Sequence, residues 1–111
     1  MPNFQHHLVT NRIYLAFVDG KLCPKTEDFY KQVSKALLFP DYFGHNLDAL
    51  DEALSDLKWL SEKTILLLIF NYDHFLSKEK DKIETVHTIF SNATSELEGR
   101  GVYFSVQTQV L

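Results

Sequence analysis

Three short apolar runs along the chain predict β-strands. The first covers residues 13–18 and ends at Asp19-Gly20, a pair that favours a turn. The second, residues 64–70, is the most apolar run in the chain and is typical of a central strand that is covered on both faces. In the third, residues 102–106, apolar side chains alternate along the run, which predicts a strand buried mainly on one face.

Three other stretches repeat their apolar residues at the spacing of an α-helix. Residues 27–38 follow Thr26, which we expect to be the N-cap. Residues 46–57 repeat leucine at i, i+3, i+7 and i+10, which predicts one buried stripe. Residues 80–97 form a long amphipathic pattern that ends at Gly99.

The order of these elements predicts an α/β fold. Strands joined through helices lie parallel to one another, with right-handed crossovers. We therefore expect a three-stranded parallel sheet packed with three to four helices. With 111 residues, the chain is long enough for one domain, 1–111, with its own core. Residues 1–12 are expected to be either a flexible arm or an edge strand.

Composition narrows the class of protein. Hydrophobic residues make up 45% of the chain, as in a globular protein. The lone Cys23 cannot form an internal disulfide, which fits a reducing compartment. We find no pattern of a signal peptide and no apolar run of membrane-spanning length. These features predict a cytoplasmic protein that is not associated with a membrane. We also expect the protein to be a monomer when no partner is bound.

Negative charge is concentrated in residues 38–57. This segment contains five carboxylates and neither lysine nor arginine, whereas the whole chain has a net charge of −4. The rest of the chain is therefore slightly basic, at +1 (−4 minus −5). Like charges on one surface create a field that attracts a basic partner. The acidic balance argues against direct binding of nucleic acid.

Helical geometry places the acidic residues of this segment on one surface. At about 100° per residue, Asp48, Asp51, Glu52 and Ser55 share a face that differs from the leucine stripe. Asp48 and Glu52 lie one turn apart, and such like-charged pairs destabilise a helix by a few tenths of a kcal/mol. This local conflict is expected at a functional surface. A solvated acidic face without a function would show the same pattern.

Acid–base catalysis and metal binding are two alternatives to a role in binding a partner. Paired carboxylates such as Asp48 and Glu52 carry out acid–base catalysis in some enzymes, but the sequence shows neither a pocket nor an apolar neighbour beside them. His45 near the same two residues suggests a metal site, and so does the pair His6 and His7. No phosphate-binding loop, cysteine pair or catalytic triad accompanies them. We therefore expect no enzyme activity, no metal and no cofactor.

Residues 40–52 resemble the central segment of the barstar family, small intracellular inhibitors of secreted ribonucleases. The family pattern runs Pro, acid, Tyr, aromatic, Gly, any residue, Asn-Leu-Asp-Ala-Leu, any residue, acid. In this chain the matching residues are Pro40, Asp41, Tyr42, Phe43, Gly44, Asn46, Leu47, Asp48, Ala49, Leu50 and Glu52. The resemblance extends over residues 13–108 and implies a barstar-like fold with strands in the order 1-2-3.

The resemblance implies an intracellular inhibitor of a ribonuclease. Its acidic helix and loop, residues 41–56, would block the basic active site of the enzyme. The expected partner is a basic ribonuclease or nuclease toxin, and the protein would serve as an immunity protein or antitoxin. The alternative is a barstar-like interaction domain whose partner is not a nuclease. A protruding surface would favour an inhibitor, whereas a deep pocket at residues 45–52 would favour an enzyme.

The family pattern also implies which residues touch the partner. They are Tyr42, Gly44, Asn46, Leu47, Asp48, Asp51 and Glu52. Tyr42 matches a contact tyrosine that packs on a catalytic histidine, and Asp48 matches the aspartate at the helix start. Gly44 and Asn46 match the loop that sets the entry of the helix.

Four positions depart from the family pattern. Glu52 lies where the family has its main plugging aspartate, so its carboxylate reaches one methylene further. Asp51 replaces an aromatic residue, which adds charge and removes packing area. Asn92 lies where the family has another contact acid, and Trp59 lies near the position of an aromatic that flanks the site.

Overall fold

The computed structural model of the protein describes residues 6–111, which form a mixed α/β structure. Its helices and strands in chain order are β1 (His7–Thr10), β2 (Ile13–Asp19), α1 (Thr26–Ala36), α2 (Leu47–Asp56), β3 (Thr64–Phe70), α3 (Ile83–Glu98) and β4 (Tyr103–Thr108). Within residues 6–111, no helix is both long enough and apolar enough to cross a membrane.

The sheet has four strands in the order β1-β2-β3-β4, so the prediction of three strands was wrong. The three predicted strands are β2, β3 and β4, and they pair in parallel with β3 in the middle, as expected. The added strand β1 pairs antiparallel with β2. It returns through Asn11 and Arg12, which have φ angles of 49° and 66°. Two consecutive residues with positive φ angles allow a tight β-hairpin turn. Arginine is not a residue that normally indicates such a turn in a sequence.

Helices cover one face of the sheet. Side chains on that face, such as Ala16, Val18 and Leu67, are fully buried and belong to the same core as the helix residues. Between them, Leu66 and Leu68 on β3 are only half-buried. The prediction that β3 is covered on both faces was therefore wrong. A continuous apolar run does not distinguish a strand covered on one face from a strand covered on both. On the second face of β3, neighbouring strands shield the side chains only in part.

A residue from a distant loop provides hydrogen-bond acceptors for the first residue of α1. We expected Thr26 to be the N-cap, but Thr26 is the first helical residue and Lys25 precedes it. The Glu79 carboxylate accepts hydrogen bonds from the backbone N–H of Thr26 at 2.6 Å and from its hydroxyl at 3.0 Å. These bonds favour the charged form and lower the pKa of Glu79. They also connect the loop before α3 to the start of α1.

Tyr14 connects β2 to α1 inside the core. Its side chain is buried, and its hydroxyl donates a hydrogen bond of 2.6 Å to the carbonyl oxygen of Ala36. Burial raises the pKa of Tyr14 from 10.0 to about 12. Burial likewise raises the pKa of the Cys23 thiol, beyond the other end of β2, to about 12. Both side chains are therefore more stable in their protonated form when the protein is folded.

Alkaline pH should unfold the protein partly through Tyr14. The tyrosine of the unfolded chain loses its proton near pH 10.0, whereas the folded protein keeps it to about pH 12. The stabilisation is therefore complete below pH 10 and is lost as the pH rises from 10 to 12, by about 2–3 kcal/mol for this residue. Denaturant unfolding at several pH values should show a shallower loss for Tyr14→Phe. Tyr103→Phe, at an exposed tyrosine, should keep the wild-type slope.

Gly20 packs directly on the backbone after β3. A Cβ atom at this position would clash with the carbonyl oxygen of Asn71. Because backbone atoms must move to relieve that clash, we expect Gly20→Ala to lower the free energy of unfolding by about 1–3 kcal/mol or more. The control is Gly99→Ala, since a Cβ atom there lies no closer than 3.4 Å to another residue. Equal stability of the two variants would contradict this account.

Candidate functional site

Asn46 is the N-cap of the acidic helix α2, as predicted. The Asn46 side chain accepts a hydrogen bond of 2.8 Å from the backbone N–H of Ala49, which is the contact expected of an N-cap. The same side chain donates a bond of 2.7 Å to the carbonyl oxygen of Gly44. One amide therefore fixes both the loop before α2 and the first turn of the helix.

The unusual backbone conformation in this loop belongs to His45. Its φ angle is +33°, in the left-handed region, and the only glycine in that region within residues 6–111 is Gly101. Gly44 therefore does not use the left-handed conformation that glycine permits. Aromatic contacts hold His45, whose ring centroid lies 5.0 Å from that of Phe43 and 6.3 Å from that of Tyr30.

The predicted acidic face of α2 lines one wall of an open cleft of about 720 Å³. Helix α3 forms the opposite wall. The lining residues are Asp48, Asp51, Glu52 and Ser55 from α2, with Asn92, Ser95 and Glu96 from α3 and Gly99 just after it. The spacing along α2 therefore identified the residues that the fold brings together.

Within residues 6–111, no lysine, arginine or histidine forms an ion pair with a carboxylate of this cleft. The ion pairs in that part of the chain are His74–Asp73 at 3.6 Å and Lys82–Asp81 at 3.9 Å, both outside the cleft. None of the cleft carboxylates accepts a hydrogen bond from the described residues. Four carboxylates therefore face one space without an ion-pair partner among the described residues, and they produce a local negative potential.

A smaller pocket of about 110 Å³ adjoins the cleft. Its walls include Tyr42, Phe43, Gly44 and Trp59, and Glu52 lines both the pocket and the cleft. The Tyr42 side chain is 83% exposed, so one aromatic ring is open to solvent at the mouth. The combination of aromatic walls and a carboxylate suits a flat or cationic side chain.

Aromatic packing keeps the loop of the small pocket in place. The indole N–H of Trp59 donates a hydrogen bond of 2.8 Å to the carbonyl oxygen of Leu37. Phe39 lies between Trp59 and Phe43, with ring centroids 5.9 Å and 4.8 Å away. The pocket is therefore built on a rigid support.

The predicted partner-contact residues fall into three groups. Asp48, Asp51 and Glu52 share the cleft, and Tyr42 and Gly44 line the pocket beside it. Asn46 and Leu47 lie in neither space. Asn46 is exposed at the helix start, whereas the half-buried Leu47 packs against the hydrophobic core.

The contribution of α3 was largely missed from the sequence. Ser95 and Glu96 line the cleft beside Asn92, which had been singled out only through the family pattern. Glu96 lies four residues after Asn92 and therefore on the same side of the helix. The missing information was which side of α3 faces α2, and no local pattern reports that.

The geometry differs from both outcomes expected for this region. The acidic residues face an open cleft between two helices, neither the protruding surface expected of an inhibitor nor the deep pocket expected of an enzyme. Among residues 6–111, no group of three or more histidine, cysteine, aspartate or glutamate side chains is arranged to bind a metal ion.

Fold and site together describe a small α/β protein with an acidic surface between two helices. A family model described as Barstar (barnase inhibitor) matches residues 13–109, so the chain belongs to the barstar family. Proteins of this family inhibit barnase-like ribonucleases and are not enzymes. The resemblance seen in the sequence is thereby confirmed. A search of curated proteins found no match to this chain.

Asn46 should matter for stability as well as for the shape of the site. Asn46→Ala removes the N-cap and the bond to Gly44, so we expect a loss of about 1–2 kcal/mol in the free energy of unfolding. Asn46→Asp keeps the capping oxygen and should retain most of that stability. Denaturant titration of both variants tests this expectation, and equal losses would show that the cap oxygen is not the stabilising group.

Proposed function

We propose that this protein inhibits a basic ribonuclease or nuclease toxin by covering its active site with the acidic cleft. The observation that carries the proposal is the set of carboxylates on the facing walls of α2 and α3, none of which has an ion-pair partner within residues 6–111. In this proposal the protein is a monomeric intracellular immunity protein or antitoxin. It protects the cell that makes it and binds no cofactor.

The cleft has the chemistry to replace the phosphates of RNA. A ribonuclease holds phosphate groups with arginine, lysine and histidine side chains. Carboxylates offer the same charge, and they pair with arginine through two parallel hydrogen bonds. Because Asp48, Asp51 and Glu52 accept no hydrogen bond from residues 6–111, their oxygens are available for a partner. Pairing with the enzyme would replace hydrogen bonds to water with charge-assisted hydrogen bonds to arginine.

Glu52 is the central residue of the proposed contact. It lines both the large cleft and the aromatic pocket, so one carboxylate joins the two parts of the surface. In our proposal, Glu52 and Asp48 meet basic groups of the nuclease. Tyr42 stacks on a planar side chain from the enzyme, such as its catalytic histidine.

Electrostatics also sets the speed of the encounter. The field of the acidic cleft attracts a basic enzyme over distances comparable with the Debye length, about 10 Å at 0.1 M salt. Such attraction raises association rates and makes them fall as ionic strength increases. Fast capture is the property that a cell exposed to a toxic nuclease requires.

A second candidate function is a barstar-like interaction domain for a basic protein that is not a nuclease. Asp51 favours it, because this carboxylate lines the cleft where the family pattern has an aromatic residue. The change alters both the charge and the shape of the contact surface. The same cleft would bind this partner, so only inhibition assays separate the two candidates.

The test is a titration of small basic secreted and toxin ribonucleases with this protein. We expect stoichiometric inhibition of at least one enzyme by the wild type. Asp48→Asn and Glu52→Gln keep the size of each side chain and remove its charge, so each should weaken binding by about 2–5 kcal/mol. The matched control is Asp81→Asn, at an exposed carboxylate outside the cleft, which should inhibit as the wild type does.

Each outcome of this titration has a definite meaning, provided circular dichroism shows that the variants are folded. Full inhibition by both cleft variants would exclude the cleft as the contact surface. If no ribonuclease responds to the wild type, the inhibitor proposal fails. The interaction-domain candidate would then be pursued by affinity capture, with the cleft variants as the negative control.

A further inference from the structure

The C-terminal end of α2 is held by an arginine from the turn after α3. The Arg100 guanidinium donates hydrogen bonds to the backbone carbonyl oxygens of Ser55, at 2.8 Å, and of Asp56. These carbonyls belong to the last turn of α2, where carbonyl groups have no partner inside the helix. Helix α2 has no basic residue of its own in that turn. Arg100 therefore supplies the positive charge that stabilises a helix C-terminus.

This contact lies at one end of the acidic cleft. Ser55, whose carbonyl receives one of the bonds, lines the α2 wall of the cleft, and Gly99, next to Arg100 in the chain, lines the opposite wall. The arginine side chain thus bridges the two walls. Within residues 6–111 Arg100 forms no ion pair with a carboxylate, so its visible role is the contact with the helix backbone.

We propose that Arg100 is a positioning residue for partner binding, which sets the spacing between α2 and α3 and so the distance between the carboxylates on the two walls. This inference rests on the proposed function, in which a basic partner fills the cleft. Pairing with fixed arginine or lysine groups depends on that distance, because bidentate hydrogen bonds tolerate little displacement.

The charge of Arg100 and its positioning of α2 should have opposite effects on the strength of partner binding. This difference makes the proposal testable. A positive charge beside the cleft weakens the attraction of a basic partner. If Arg100 acted only through its charge, its removal would speed association and tighten binding. If it positions α2, its removal weakens binding through faster dissociation, because the walls no longer hold the carboxylates at the required spacing.

The first experiment measures association and dissociation rates with a ribonuclease that responds in the titration above. For Arg100→Ala we expect dissociation to become about tenfold faster, while association stays the same or rises up to about twofold. The control is Lys58→Ala, which removes an exposed positive charge that makes no hydrogen bond to α2. It should affect association only. Unchanged or slower dissociation of Arg100→Ala would overturn the proposal.

A conservative variant separates the charge from the shape of the side chain. Both hydrogen bonds come from one guanidinium nitrogen, Nη2. Arg100→Lys keeps the charge and a nitrogen donor, but its flexible stem orients that donor less rigidly than the planar guanidinium does. We expect the wild-type association rate and a dissociation rate between those of wild type and Arg100→Ala. Dissociation of Arg100→Lys as fast as that of Arg100→Ala, with both hydrogen bonds still formed, would overturn the positioning role.

The second experiment needs no partner. Hydrogen exchange of the free protein reports the stability of the last turn of α2, through amides such as that of Leu57, which donates to the carbonyl of Ala53. In Arg100→Ala these amides should exchange about tenfold faster, with Ile65 and Leu67 in β3 unchanged. Equal protection in both proteins would overturn the proposal. Should no ribonuclease respond, the proposed function fails, and this comparison still decides whether Arg100 positions α2.

Discussion

The packing of α2 against α3 is the interaction on which the acidic cleft depends. Leu50 and Leu54 of α2 are fully buried, and they belong to the same core as Val86, Phe90 and Ala93 of α3. Burial of these side chains provides the free energy that holds two acidic walls close together. Without that apolar contact, repulsion between the carboxylates of the two helices would favour their separation, and no ion pair among the described residues opposes it.

Binding strength in such a site comes from an arrangement that is unfavourable in the free protein. Four carboxylates on one cleft repel one another, and water solvates them in the free protein. The basic partner that we propose would remove this repulsion and form charge-assisted hydrogen bonds with them. Membership in the barstar family agrees with this principle, because the family is described as inhibitors of barnase.

The supporting contacts around the cleft all act on the ends of α2. Asn46 holds its start through a capping bond, and the aromatic contacts of Phe43 and His45 fix the loop before it. Arg100 bonds to its last carbonyls. The middle of the helix is held by leucines in the core. Helix α2 is thus fixed along its whole length, which limits the conformational entropy lost when a partner binds.

The spacing of apolar and polar residues by itself determined the strands 64–70 and 13–18 and the helix that is capped by Asn46. It also determined the shared face of Asp48, Asp51 and Glu52. These features depend on side-chain spacing within one element, and spacing is visible in a sequence. Only the tertiary structure decided that β1 joins the sheet, that helices cover one face of β3, and that Glu96 and Arg100 flank α2. Those features depend on how elements far apart in the chain pack against one another, and neither periodicity nor composition encodes that.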